Sequence, residues 1–385
     1  MRHMLKKIVK MDLLFVIFLI LATASMLLIP SSSEVKKNYS YYKARIIETD
    51  NSLVGQYGLI RQGEQDVILE ILNGPHKGKR FETSNNLIGK MELDKFLKKG
   101  DIVLAEVFET QGAVFVNVTD YYRSGAQFIL FAAFSFILIF YSGWTGFKAL
   151  ISFVASLVGI WKVLIPLLLK GYDPVLSAFV FICVLTAVII YLVGGFTKKG
   201  NVAFLGSISG ILFSLLITEL FSKPFHINGA IKPFSEALIH SGYANLDLNK
   251  LFISGIFIAC SGAIMDIAMD ISASMNEVIL KKPSISRKEL LHSGLNVGRS
   301  VTGTMTTTLL LAYSGGYSTL LMTFMAQGVS TFAMLNINYI SSEILNTLVG
   351  SFGLILTAPL TALIGAFVYK PLKTSVYSES VEKEF

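Results

Sequence analysis

Long apolar runs set the terms for this chain. From residue 126 onward they follow one another at 126–142, 147–169, 175–195, 202–221, 251–273, 298–314, 317–334 and 347–369. Each has close to the ~20 residues that a helix needs to cross the hydrocarbon core of a bilayer. Backbone amides find no water there, so runs of this kind have to be helical. An earlier run, Leu13–Ile29, follows Arg2, Lys6, Lys7 and Lys10. It is too long for the apolar part of an ordinary cleaved leader. The small triplet Ala22-Thr23-Ala24 lies inside it, so it reads as an uncleaved anchor with its N-terminus in the cytoplasm. Composition agrees with a membrane protein: 53% of residues are hydrophobic and only 15% charged, against roughly 25% charged in a soluble domain. The expected fold is a membrane α-helical bundle of eight or nine transmembrane helices.

Residues 31–124 differ in kind. Charged residues return, and segments of β type recur at Tyr41–Thr49, Gln65–Leu72, Lys79–Thr83, Asp101–Glu109 and Ala113–Thr119. Asn73-Gly74-Pro75, Gly78 and Lys99-Gly100-Asp101 punctuate them as turns, and Met91–Lys98 reads as a short helix. The expectation is a small closed β-barrel of the OB or SH3-like kind. One span separates it from the basic N-terminus, so it belongs outside the cytoplasm. The chain then divides into an anchor (1–30), an extracytoplasmic β-rich domain (31–124), a transmembrane bundle (125–370) and a polar tail (371–385).

The formal charge of +7 reads as a topology signal and not as a nucleic-acid surface. Lys198, Lys199, Lys281, Lys282, Arg287, Lys288 and Arg299 fall where loops should face the cytoplasm, as the positive-inside rule expects. Nine spans would leave the tail outside, against the preference of Lys370 and Lys373. A re-entrant hairpin at Thr302–Tyr317, or the merger of two spans, would bring it inside. Cys183 and Cys260 both lie in apolar runs and read as free buried thiols. No CxxC, zinc-finger, Walker or GxGxxG pattern occurs, so no cofactor and no metal site is implied. In the long connection 222–250, His226, Glu236, His240 and Asp247 match no ordered ligand spacing. A short helix from about Pro233 to His240, ended by Gly242, is expected there.

The chemistry concentrates in Ser261–Arg299 and the span that follows. Asp266, Asp270 and Glu277 recur at i, i+4 and i+11, one stripe of a helix. A charged side chain at hydrocarbon depth costs on the order of 2.5–3.5 kcal/mol on insertion scales. Gly255, Ala259, Gly262, Ala263, Ser272, Ala273 and Ser274 flank the acids. Small residues let helices approach closely in lipid, so this helix is expected at the centre of the bundle with its acidic stripe turned inward. Ser286 and Glu289 match a capping box, with Ile285 and Leu290 as its hydrophobic staple, so the next helix starts near Arg287. It leads through Asn296, Gly298 and Arg299 into Thr302-Gly303-Thr304-Met305-Thr306-Thr307-Thr308. The two helices are consecutive and antiparallel, which sets Arg299 level with Asp270 and Thr302 or Thr306 level with Asp266. Two readings stay open for the threonines: they bond their own i−4 carbonyls, or they line a polar path opposite the acids. Arg299 likewise fits either that path or a plain ion pair with Asp270. The candidate proton- or ion-coupling residues are Asp266 and Asp270. Their candidate partners are Asn296, Arg299, Thr302, Thr306 and Thr307.

The stretch GAIMDIAMDISASMNEV, followed by GLNVGRSVTGTMTTTLLLAYSGG, resembles the YibE/F family of bacterial membrane proteins. The layout of one span, a β-rich external domain and a bundle resembles it too. The likeness covers residues 1–370 and is specific in 262–316. It implies a bacterial multi-pass plasma-membrane protein and brings no established substrate or mechanism. A weaker likeness links Gly262 with Asp266, then Glu277, Gly294 and Thr306-Thr307, to SecD/SecF and the resistance-nodulation-division permeases, which are proton-driven. The external domain here is much smaller and of another type. The functional expectation is a transporter or permease for a small solute or ion. The alternative is a non-transporting scaffold in the bilayer, whose residues 31–124 dock an envelope protein. An intramembrane aspartyl protease needs carboxylates on two helices that meet, whereas these two share one. No HExxH stretch serves a metalloprotease, so no enzyme is expected.

Overall fold

A computed structural model describes residues 2–28, 39–110 and 113–370. The polar tail and the link between the anchor and the β-rich domain lie outside them. The chain forms two compact units, one of residues 32–141 and one of residues 1–31 with 142–385.

The first unit is a curled antiparallel sheet. Its strands are β1 (Tyr39–Asp50), β2 (Val54–Tyr57), β3 (Ile60–Ile71), β4 (Arg80–Ile88), β5 (Ile102–Thr110) and β6 (Ala113–Tyr121). Alternate residues point inward: Ala44 and Ile46, then Val67, Leu69 and Ile71, then Val103, Ala105 and Val107. That period of two is what the sequence carries into the core. β1 and β2 take successive stretches of one edge of β3, β4 takes the other edge, and β5 joins β1 to β6. The expected closed barrel is corrected to a half-barrel. Among the described residues β4 pairs with β3 alone and β6 with β5 alone, so these two neighbouring edges share no ladder. β2 went unpredicted. It follows from Gly58, whose φ of 65° opens the two-residue turn that pairs Tyr57 with Ile60.

Met91–Lys98 does not form the expected helix. Leu97 inserts its side chain into the barrel core. The buried Gln65 amide donates to the Leu97 carbonyl at 2.8 Å and accepts from the Leu97 amide at 3.0 Å. Asn85 Nδ2 donates to the Lys95 carbonyl at 2.5 Å. A helix would have kept those backbone groups for itself.

The second unit is helical. After α1 (Arg2–Leu28), α2 (Ser124–Gly159) enters it beyond residue 141. Gly143, at φ 54° and ψ −129°, leaves helical geometry, so α2 is two helices. A π-turn at Ile160–Leu164 leads into α3 (Ile165–Leu169). Pro166 has no N–H for the carbonyl four residues back, which accounts for the loosened turn just before it. Then come α4 (Pro174–Gly194), α5 (Lys198–Ser222), α6 (Ser235–His240), α7 (Leu248–Lys281), α8 (Arg287–Ala326), α9 (Thr331–Leu335) and α10 (Asn338–Tyr369). Among the described residues six stretches are long and apolar enough to cross a membrane: Ser124–Leu169, α4, α5, α7, α8 and α10. Leu13–Leu28 adds a shorter apolar helix.

Two expected spans, 298–314 and 317–334, are one helix. α8 runs straight through Gly315-Gly316 and stops only at Gln327 and Gly328, the latter at φ 72°. At 1.5 Å per residue its 40 residues extend about 60 Å. Ser341-Ser342-Glu343 sits in the first turns of α10. α6 and Gly242, at φ 95°, stand where the sequence put them.

The tightest seam joins α5 to α10. A Cβ on Gly206 would strike Thr361, one on Gly210 would strike Thr357, and one on Gly353 would strike Ser214. The contacts step by four residues on both helices, in opposite directions. The threonines bond back along their own helix, Thr357 to the Gly353 carbonyl and Thr361 to the Thr357 carbonyl, each at 2.7 Å. Two helices can approach this closely because one partner in each pair has no side chain and the threonines satisfy their own hydroxyls.

Candidate functional site

α7 divides its residues sharply by face. Phe257, Cys260, Ile264, Ile267, Ile271 and Met275 are buried in the bundle. Gly255, Ala259, Gly262, Asp266, Asp270 and Glu277 are exposed. The expectation of an inward acidic stripe is therefore corrected: within one chain it faces outward. The physical reason is bulk. Burying a branched or aromatic side chain gains ~1.5–3 kcal/mol, whereas glycine and alanine offer little and an unpaired carboxylate resists burial. The heavier face won. Cys183 and Cys260 are free thiols; Cys260 is buried as expected, whereas Cys183 is only partly buried.

Depth relations on α8 follow from two close contacts. Gly294 lies against Met275 and Ala362, and Gly298 lies against Ile271 and Ala358. Counting in opposite directions from there sets Arg299 level with Asp270 and Gly303 level with Asp266. No lysine or arginine nitrogen of the described residues comes within 4.0 Å of either aspartate, so the Asp270–Arg299 ion pair does not form within the chain. Arg299 is exposed, and its Nη1 reaches the neutral Oδ1 of Asn296 at 3.5 Å.

The threonines mostly satisfy themselves. Thr306 donates to the Thr302 carbonyl at 2.8 Å, Thr304 to the Val301 carbonyl at 3.0 Å and Thr308 to the Thr304 carbonyl at 3.1 Å. Thr302 differs: its Oγ1 is buried with no hydrogen-bond partner. Thr307 is exposed on the same open side of the helix as Thr304. Of the seven candidates, the structure thus brings Arg299 to Asn296, and joins Thr306 to Thr302. It leaves Asp266 and Asp270 without a partner from the α8 set.

A second polar cluster joins the connection before α6 to the start of α10. Lys232, in the connection before α6, forms a 2.7 Å ion pair with Glu343 of α10. Asn346, one turn on, donates to the other Glu343 oxygen at 3.2 Å. Asn346 Oδ1, Thr347 Oγ1 and Tyr313 Oη are buried without partners. A Cβ on Gly350 would stand 3.6 Å from Tyr313 Oη and 3.3 Å from Cys260, so the cluster spans α7, α8 and α10. Its signal in the sequence was Glu343 with Asn346 at i+3, opening an otherwise apolar helix. A further ion pair, Lys250 to Asp173 at 2.5 Å, ties the start of α7 to the N-cap of α4. The Lys250 ammonium, together with the Leu176 amide, holds the Asp173 carboxyl below its usual range.

Comparison with known families now adds to this geometry. Residues 130–371 match the family model described as YibE/F-like protein, and residues 38–121 match the YibE/F family N-terminal domain. No curated protein and no solved structure matches the chain. Nothing among these matches supports the likeness to SecD/SecF and the resistance-nodulation-division permeases. The two matched segments fall on the half-barrel and on the helical bundle in turn, and the chain belongs to the YibE/F family.

Proposed function

We propose that this protein is a permease of the bacterial plasma membrane, moving a small solute or ion, with Asp266 and Asp270 as its proton- or ion-coupling groups. One observation carries the reading. Two carboxylates share one face of a helix within a membrane-spanning segment, and no lysine or arginine of the described residues comes within 4.0 Å of them. A low-dielectric surrounding favours the neutral form of a carboxylate, so each site binds a proton or a cation more readily than in water. Neutralisation changes the cost of keeping the helix face where it is, which is the least that coupled movement requires. With α8 as one crossing, α1, the two halves of Ser124–Leu169, α4, α5, α7, α8 and α10 make eight. Both basic loops and Lys370 then lie in the cytoplasm and the half-barrel lies outside. The reading is of transport and not of catalysis.

The test is proton movement in proteoliposomes followed with a pH-sensitive dye. The wild-type protein dissipates an imposed gradient; Asp266→Asn loses at least tenfold in rate while keeping its fold and membrane insertion. Wild-type flux in that variant would defeat the proposal.

The scaffold reading has its own observation. Glu48, Asp50, Asp66, Glu82 and Ser84 line a groove of about 510 Å³ on the half-barrel. Four carboxylates there suit a basic segment of an envelope protein. Crosslinking through this groove, without flux, would favour that reading.

A further inference from the structure

The open face of α7 does not stand alone. Next to it α8 shows a second open face over much of its length, and Gly303, Gly315 and Gly316 would meet nothing within 4 Å if a Cβ were added. The same holds for Gly255 and Gly262 on α7. Glycines inside the bundle behave otherwise: Gly206, Gly210, Gly294, Gly298 and Gly353 each lie against a neighbouring helix. Glycine weakens a helix and serves a membrane span mainly where another backbone comes close. Charge points the same way. α7 carries two unpaired carboxylates on this side, and α8 carries Arg299 at the depth of Asp270, bonded only to a neutral amide. Opposite charges on adjacent helices at one depth are self-complementary under a two-fold axis along the membrane normal. The helix Ser124–Ser142 of the same chain has no lysine or arginine, so it cannot neutralise the acids.

We infer that a second copy of this chain packs against the open face of α7 and α8, each copy's Arg299 pairing with Asp270 of the other. The glycines of α7 admit the close approach of α8 from the second copy, and the reverse contact forms by symmetry. Asp266 and Asp270 then lie in a protein interface and not against lipid tails. The pair takes up Asp270 and leaves Asp266 without a counter-charge, so co-purification reads the Asp270–Arg299 contact while proton flux reads Asp266, and the two can fail separately.

Co-purification of differently tagged chains from one membrane tests it. Wild-type copies are expected to recover each other. Asp270→Arg chains alone, and Arg299→Asp chains alone, set like charges face to face and should lose at least tenfold in recovery. Chains of the first kind mixed with chains of the second restore every pair, so recovery should return to near the wild-type level. Crosslinking extends the test to chains with the native charges. Gly262→Cys in one copy and Thr307→Cys in the other lie at one depth, and oxidation in membranes should join the two tags. Failure of wild-type copies to co-purify would overturn the inference. So would charge variants that recover only when both substitutions share one chain, or Gly262→Cys and Thr307→Cys copies that remain unjoined.

Discussion

At the residue scale, charge placement separates Glu343 from the aspartates of α7. Glu343 has Lys232 and Asn346, so it holds the connection before α6 onto α10. Glu343→Gln leaves a half-buried ammonium short of its partner, and a loss of about 1–3 kcal/mol follows. A thermal melt in detergent should show a lower midpoint, with Lys232→Met in the same chain recovering most of it. Asp120 gives the pH case. Its hydrogen bond to Arg123, at 2.8 Å, and to the Tyr121 amide hold its carboxyl below the ordinary range. A carboxyl with a lowered folded-state pKa stabilises the fold above its unfolded value, near 3.9, and that contribution is lost as pH falls through the folded value. Both side chains are well exposed, so the effect at neutral pH is no more than about 1 kcal/mol. Asp120→Asn should flatten the acid side of the stability profile and leave the slope above pH 6 alone. The aspartates of α7 were legible as residues because charge inside an apolar run is conspicuous. Their direction was not, because helical spacing says which residues share a face but not which face turns inward. The mass of Phe257, Ile264, Ile267 and Ile271 opposite them decided that.

At the element scale, the capping box at Ser286 and Glu289 was fully legible, since both reciprocal bonds depend on a four-residue pattern. The run of α8 was not. A glycine pair suggests a break, but it ends a helix only where the backbone also turns to positive φ, as Gly328 does and Gly315 does not. Met91–Lys98 failed for the opposite reason: Gln65 and Asn85, distant in sequence, claimed its backbone groups. The α5–α10 seam gives the sharpest prediction here. Gly210→Leu places a branched side chain on Thr357 at a contact with no free space. Overpacking of this kind costs several kcal/mol, and the variant should be recovered poorly and melt well below the wild type. Gly125→Leu, where a Cβ meets nothing within 4 Å, should express and melt like the wild type. Equal behaviour of the two would refute the seam.

At the scale of the whole molecule, the helical bundle was legible throughout, because hydrocarbon imposes length and apolarity on every span. The count was harder, since Ser124–Leu169 hides a break at Gly143 and α8 hides none at Gly315-Gly316. On the proposed count of eight crossings, the C-terminal tail belongs in the cytoplasm. A reporter fused after Phe385 that is active only in the cytoplasm should therefore work, and one active only outside should not. The account rests most heavily on a titrating carboxylate at hydrocarbon depth on α7. Dicyclohexylcarbodiimide, an apolar reagent that attacks protonated carboxyls, tests this directly in native membranes, with mass spectrometry to locate the adduct. Modification should appear at Asp266, rise as pH is lowered, and resist competition by a membrane-impermeant carbodiimide. An Asp266 that takes up the impermeant reagent and ignores the apolar one would contradict the account.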